Sequence, residues 1–259
     1  MPIRPGVELG NLSDVGRQRE NNEDFFSYWE PETDEQFQQK GRLAIVADGM
    51  GGYEGGQEAS RLAVETILEI YSHATAPDPQ AALLDGLQVA HERIRQYGDV
   101  HPELYGMGTT CTAVALNGPR LYYAHVGDSR LYLVRGREIS RLTKDHSYVG
   151  RLVESGVISS EEAESHPQRH ILTAALGTGA DLMTDYPQAP VALQNEDVLV
   201  LCTDGLWGQV SEAELKTIVA SQEPAQACKE LVEIANQRGG PDNITVQVLR
   251  IHLNGNTAR

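Results

Sequence analysis

Basic residues are scarce: 21 lysines and arginines stand against 37 aspartates and glutamates, a formal net charge of −16 over 259 residues. Nucleic acids and anionic membrane surfaces attract basic patches, so the deficit argues against both as partners. A solvated acidic surface that aids solubility accounts for most of the excess. Long apolar runs are missing as well. Stretches such as "LAIVA" and "VLVLC" are far too short to span a bilayer. The opening "MPIRPGVELG" lacks the apolar stretch of a signal peptide, which makes the cytoplasm the expected location. Cysteine is limited to Cys111, Cys202 and Cys228, odd in number, widely spaced and set among apolar residues. With no CxxC spacing, they read as buried thiols and not as a zinc site or a disulfide framework. His91 in "HERIR" has no second histidine of an HExxH pair, and no GxxxxGK[ST] loop occurs. "GMGGYEGG" departs from GxGxxG because Glu54 stands at the third glycine, which disfavours a dinucleotide site.

The remaining composition is that of an ordinary globular chain, 40% hydrophobic and 22% charged, long enough for a sizeable core. No repeat, low-complexity tract or long linker interrupts it. Residues 31–41, "PETDEQFQQKG", read as a polar hairpin loop. Apolar residues at helical spacing predict a helix from about Gly56 to Ser72, and Asp78-Pro79 opens a second that runs to about Tyr97. The period then drops to two. "TTCTAVAL", "RLYYAHVGD" and "RLYLVRG" read as successive strands with glycine-rich turns between them. Residues 145–170 form a polar helical insert with a capping-box pattern at Ser159 to Glu162. The strand "DVLVLCTDG", helices opening near Ser211 and Pro224, and a last strand, "NITVQVLRIHL", complete the chain. Strands in runs, with helices paired in two blocks, predict an α+β fold of antiparallel sheets covered by helices. A single layered domain over 1–259 with a surface insert is expected.

Several strands share one feature: an acid at the end. Asp48 closes "RLAIVAD", Asp128 follows "LYYAHVG", Asp204 follows "VLVLCT", Asp242 precedes "NITVQV", and Glu23-Asp24 precede "FFSYW". Carboxylates gathered at one sheet edge repel one another unless cations hold them together. Hard oxygen donors suit Mg²⁺ or Mn²⁺ better than zinc. A carboxylate bridging two such ions, with a water between them, is the usual apparatus for phosphate-ester hydrolysis. After Asp48, five glycines fall within eight residues, so something is expected to approach that backbone closely.

"SDVGRQRENNED", "VADGMGGYEGGQEAS", "MGTT", "HVGDSRLY", "TKDH", "HPQRHILTAALG", "CTDGLW" and "GGPDNITV" occur in one order, from about Glu8 to Leu253. In that order they resemble the bacterial metal-dependent protein phosphatases of the 2C type. The resemblance implies an α-β-β-α sandwich, two central antiparallel sheets, and hydrolysis of phosphoserine and phosphothreonine at a dinuclear Mn²⁺ or Mg²⁺ centre. By the same resemblance Asp48 bridges both ions, Gly49 gives a carbonyl oxygen to one, Asp204 and Asp242 hold the other, and Asp24 acts through a water. Asp128, with Asp204, matches the position of a weaker third ion, and Arg19 matches the phosphate clamp. Glu23 competes with Asp24, and Arg17 with Arg19. The insert at 145–170 matches a variable flap, in which His166, Arg169 and His170 read as structural; Thr109 and Thr110 read as strand packing, and Asp14 as a hydrogen-bonded turn residue.

One position departs from the pattern. Tyr53 stands where these enzymes usually carry a histidine thought to protonate the leaving serine oxygen, which puts its part as general acid in doubt. The partners implied are phosphorylated proteins and an opposing serine/threonine kinase, with a monomer expected. Two other functions fit parts of the pattern: an impaired phosphoprotein-binding module on the same fold, and a metal-dependent hydrolase of nucleotides or small phosphate esters.

Overall fold

Period-two burial along the central strands decides the layering. In β3 (Arg42–Met50), Leu43, Ile45 and Ala47 pack with one helical layer, whereas Ala44 and Val46 pack between the sheets. In β10 (Val198–Cys202), Val198, Val200 and Cys202 face a second helical layer, and Leu199 and Leu201 meet the same inter-sheet core. Such strands are buried on both faces, which is why their sequences read as near-continuous apolar runs. A fully buried side chain such as Leu199 contributes about 1.5–3 kcal/mol by its removal from water.

The computed structural model describes residues 3–51, 54–75, 78–159, 162–163 and 166–253. One sheet has the order β1 (Val7–Asp14), β11 (Ile244–Ile251), β10, β7 (Arg130–Arg135), β8 (Glu138–Arg141). The other runs β2 (Asp24–Trp29), β3, β5 (Cys111–Asn117), β6 (Arg120–Val126), β9 (Val191–Ala192), with β4 (Gly108–Thr109) also paired to β3. Every pairing is antiparallel. Helices α2 (Gly55–His73) and α3 (Pro79–Val100) cover the second sheet. The turn α5 (Asp204–Trp207) and helices α6 (Glu212–Ser221) and α7 (Pro224–Gln237) cover the first. The α-β-β-α sandwich expected from the resemblance is the observed architecture.

The helix starts follow local chemistry. Asp78 caps α3 by accepting from the Gln80 N–H, with Pro79 in the first turn. Ser211 and Glu214 form a reciprocal capping box at α6. Ser159 and Glu162 make the same pair of bonds in the insert. There the helix α4 (Tyr148–Glu154) is short, and irregular chain continues past the expected boundary at 170 to β9. The predicted hairpin loop at 31–41 is corrected: Asp34–Lys40 is a helix, α1, capped by Thr33. None of its residues is buried, so it carries no apolar period to read. The cap, the acids of its first turn, and Arg4 and Arg42 over the Phe37 ring hold it in place.

Candidate active site

Antiparallel pairing carries the acids to one end of the sandwich. In the second sheet Asp24, at the start of β2, is the cross-strand partner of Asp48 near the end of β3, and Cys111 opening β5 pairs with Val126 closing β6. In the first sheet Asp14 pairs with Ile244, and Cys202 pairs with both Val246 and Arg130. Asp204 and Asp242 therefore flank the same edge. Asp128 lies in the crossover from β6 to β7, between the sheets. A cleft of about 940 Å³ opens there, and Arg19, Asp48, Gly49, Asp128, Asp204 and Asp242 all line it. Arg17 is not among its lining residues, which supports Arg19 as the arginine of the first motif.

Asp24 is placed differently from the other acids. It lies beneath the cleft, 7% exposed, where Thr203 Oγ1 donates to its Oδ2 at 2.9 Å. Its neighbour Glu23 reaches the cleft instead, because adjacent residues at a strand start point opposite ways. Asp14 accepts from the Gly16 N–H at 2.9 Å, as a turn residue does.

The backbone at Asp48 is fixed from several sides. Its N–H donates to Thr110 Oγ1 (3.0 Å), and its carbonyl accepts from the Thr110 N–H and Thr109 Oγ1, both at 2.8 Å. Thr109 and Thr110 thus do more than pack a strand. Gly49 passes so close to α2 that a Cβ there would stand 2.0 Å from the Gly56 carbonyl oxygen. At this position the bare backbone makes room for the chain's own crossing. Trp207 Nε1 donates to the Asp128 carbonyl at 2.9 Å, and the Arg130 guanidinium lies 3.6 Å over the Trp207 ring while pairing with Asp145 at 2.7 Å. The sequence reading missed Trp207, Arg130 and Thr203, although the first and last flank Asp204 in "CTDGLW".

Loss of water drives the electrostatics. Burial, then hydrogen bonding that partly opposes it and repulsion from Asp204 and Asp242, pushes the Asp24 carboxyl up to about 7. Asp48 and Asp128 are raised well above the ordinary range, first by burial and then by the neighbouring acids. Glu23 is raised by burial too. Such a cluster favours either protons or cations.

The donors are oxygens, and Asp24 Oδ1 and Asp204 Oδ1 are buried without hydrogen-bond partners. Both features fit a hard divalent cation. As the side chains stand, no three His, Cys, Asp or Glu residues among those described form a group that could hold an ion. Two of the acids are already engaged: Arg19 Nη2 donates to Asp242 Oδ2 at 2.7 Å, and Thr203 holds Asp24. The set therefore matches a cation in kind, and closing on one calls for different carboxylate rotamers.

Opposite the acids, residues 169–183 of the long insert form the other wall. Arg169 and His170 are exposed on it, and His170 Nδ1 is 3.8 Å from Asp204 Oδ2. The structural role expected for these two is not what their placement shows, since both face the cleft. His166 keeps a local role, accepting from the Gln168 N–H. Tyr53 lies outside the described residues.

The family described as Protein phosphatase 2C matches residues 17–245. The chain belongs to that family. With it the chain is an enzyme, a hydrolase of the phosphoprotein phosphatase class. Protein phosphatase PhpP of Streptococcus pneumoniae is 36% identical over 252 residues, which are 95% of this chain and 98% of the relative. The crystal structure of the Mycobacterium tuberculosis serine/threonine phosphatase PstP/Ppp aligns with a TM-score of 0.83 at 34% identity, covering 95% of this chain and 99% of that one. A PstP catalytic domain in complex with two manganese ions aligns with a TM-score of 0.80 at 32% identity, covering 95% and 99%. No described helix is long and apolar enough to cross a membrane.

Proposed function

We propose that this phosphatase hydrolyses phosphoserine and phosphothreonine in proteins with two divalent ions, Mn²⁺ or Mg²⁺, held at the acid edge of the cleft. One observation carries the reading: strand ends from both sheets bring Asp48, Asp128, Asp204 and Asp242 to a single cleft that also holds Arg19, with Asp24 directly beneath. Asp48 is assigned to both ions, Gly49 through its carbonyl to one, and Asp204 and Asp242 to the other. Asp24 would act through a water, and Asp128 with Asp204 would serve a weaker third ion. Bound there, the ions would supply Lewis acidity and an acidified water to attack phosphorus.

The chain's own groups do the rest. Arg19 stands half-exposed at the cleft mouth, and its planar fork is suited to two phosphoryl oxygens at once. Its contacts strengthen as charge gathers on those oxygens in the transition state. Thr109 and Thr110 fix the Asp48 backbone, so that only the side-chain rotamer of the acid is left to adjust. The wall at 169–183 gives the substrate protein a surface beside the acids. The assigned setting is a cytoplasmic, monomeric single domain that opposes a serine/threonine kinase.

The test is turnover of a phosphoserine peptide with Mn²⁺, run beside ATP and nitrophenyl phosphate, with and without a chelator. Peptide turnover that exceeds nucleotide turnover and vanishes with chelator is the expected result. Nucleotide turnover above that of the peptide, or no turnover of any substrate, would overturn the reading.

A further inference from the structure

His91 lies on α3, outside the acid cluster, and is 1% exposed. Its Nδ1 accepts a hydrogen bond from the Gly177 N–H at 3.2 Å. Nδ1 must then be unprotonated, so the ring proton sits on Nε2, which is buried and has no partner. Burial favours that neutral ring, lowering the group from its ordinary value. The unpartnered Nε2–H is a cost to the core, offset only by the bond that Nδ1 accepts from the Gly177 N–H. Packing alone is therefore a poor account of it.

Its partner belongs to the wall of the cleft. Thr173, Ala174, Ala175, Thr178 and Gly179 line the cleft on either side of Gly177. Leu176 is fully buried and exchanges two backbone bonds with Thr109, whose hydroxyl bonds the Asp48 carbonyl. Gly177 has φ +82°, and a Cβ there would meet Ile94 Cγ2 at 2.3 Å, so the loop lies flush on α3. Three fasteners hold the wall: Thr109 ties it to the Asp48 edge, the His146 carbonyl accepts from the Thr173 N–H, and His91 ties it to the helical layer.

We propose that His91 is a positioning residue for the protein substrate, holding the 173–179 wall at a fixed distance from the acid edge. The inference rests on the proposed function, since only a substrate that reaches the wall can report it. A small aryl phosphate, bound by its phosphoryl group alone, needs the acids and Arg19 but not the wall.

The experiment compares His91→Leu and His91→Asn on a phosphoserine peptide and on nitrophenyl phosphate, with Tm beside the kinetics. Loss of the acceptor in His91→Leu should raise peptide KM about 3- to 10-fold, as expected for one hydrogen bond, with kcat nearly unchanged. Nitrophenyl phosphate kinetics should not change, and Tm should change little, since the lost Gly177 bond and the removed Nε2–H offset each other. His91→Asn, which restores an acceptor oxygen near the place of Nδ1, should recover the KM. Wild-type KM in a folded His91→Leu, equal losses on both substrates, or no rescue by asparagine would overturn the proposal. Should His91→Leu fail to fold, hydrogen exchange of the Gly177 amide in the wild-type protein decides. Protection supports the bond, and free exchange removes it. If the wild-type protein turns over no phosphopeptide, the functional reading fails, while the Gly177 amide still reports the bond.

Discussion

On the acid side of the cleft the functional side chains stand at or just beyond the ends of paired strands, whereas the facing wall at 169–183 contains no helix or strand among its described residues. The acid side inherits its geometry from sheet register: Asp24 faces Asp48 because β2 and β3 pair, and Asp204 and Asp242 meet because β10 and β11 pair. The wall instead depends on a few separate fasteners, including the Leu176–Thr109 bonds and the His91–Gly177 bond. A strand end is held by the whole sheet, so chemistry that tolerates little displacement belongs there. A loop with few anchors can vary without disturbing the acids proposed as metal ligands, so substrate preference belongs on the wall.

Substitutions can sharpen or break this contrast. The largest loss should come from Asp48→Asn, Asp204→Asn or Asp242→Asn, each of which removes a charged donor. Each should lower phosphopeptide kcat/KM by at least about 100-fold and weaken Mn²⁺ binding in step. A mutant that keeps wild-type rate and affinity would detach that residue from the metal site. Arg19→Ala should cost about 10- to 1,000-fold in kcat/KM, or roughly 1.4 to 4 kcal/mol. Arg19→Lys should restore part of it, since a point charge replaces a fork. Damage from Arg17→Ala with none from Arg19→Ala would move the clamp away from the cleft.

Asp24 offers a test on stability. Its carboxyl is raised to about 7 in the folded chain from an ordinary 3.8, so the folded state holds the proton more tightly than the unfolded one. Folding therefore carries no penalty from this group below about pH 4; the penalty grows as pH rises and is complete above about pH 7. With chelator present, Asp24→Asn should raise Tm by several degrees at pH 8 and by much less at pH 4. Thermal scans at the two pH values check this, and equal shifts at both would contradict it. The smallest effect should be that of Tyr53→Phe, which we expect to change phosphopeptide kcat by less than about 5-fold. A phenol is a weaker acid than imidazolium, and a bulk water can protonate the leaving oxygen. A fall of about 100-fold confined to phosphopeptide would make Tyr53 the general acid.

The same contrast explains what could be read from sequence. Strand alternation and acids at strand ends are local patterns, so antiparallel sheets covered by helices and acids gathered at one edge were legible in the sequence, whereas the α-β-β-α sandwich came from the resemblance. Which of Glu23 and Asp24 reaches the cleft was not, because one residue of register reverses the two. Helix α1 escaped for lack of a buried face, and Arg169 and His170 because a loop has no period to place them. The hydroxyls of Thr109 and Thr110 looked like strand packing, and that of Thr203 was missed, because their bonds go to the Asp48 backbone and to Asp24, far along the chain.

Hydrolysis is proposed to depend on two divalent ions bound at the acid edge. Calorimetric titration of Mn²⁺ into the wild-type protein and into Asp48→Asn, with phosphopeptide turnover followed in the same samples, tests it most directly. Two ions should bind per wild-type chain, turnover should appear with their binding, and both should be lost in Asp48→Asn. Turnover that persists in chelator, or Asp48→Asn binding two ions as tightly as the wild type, would contradict it.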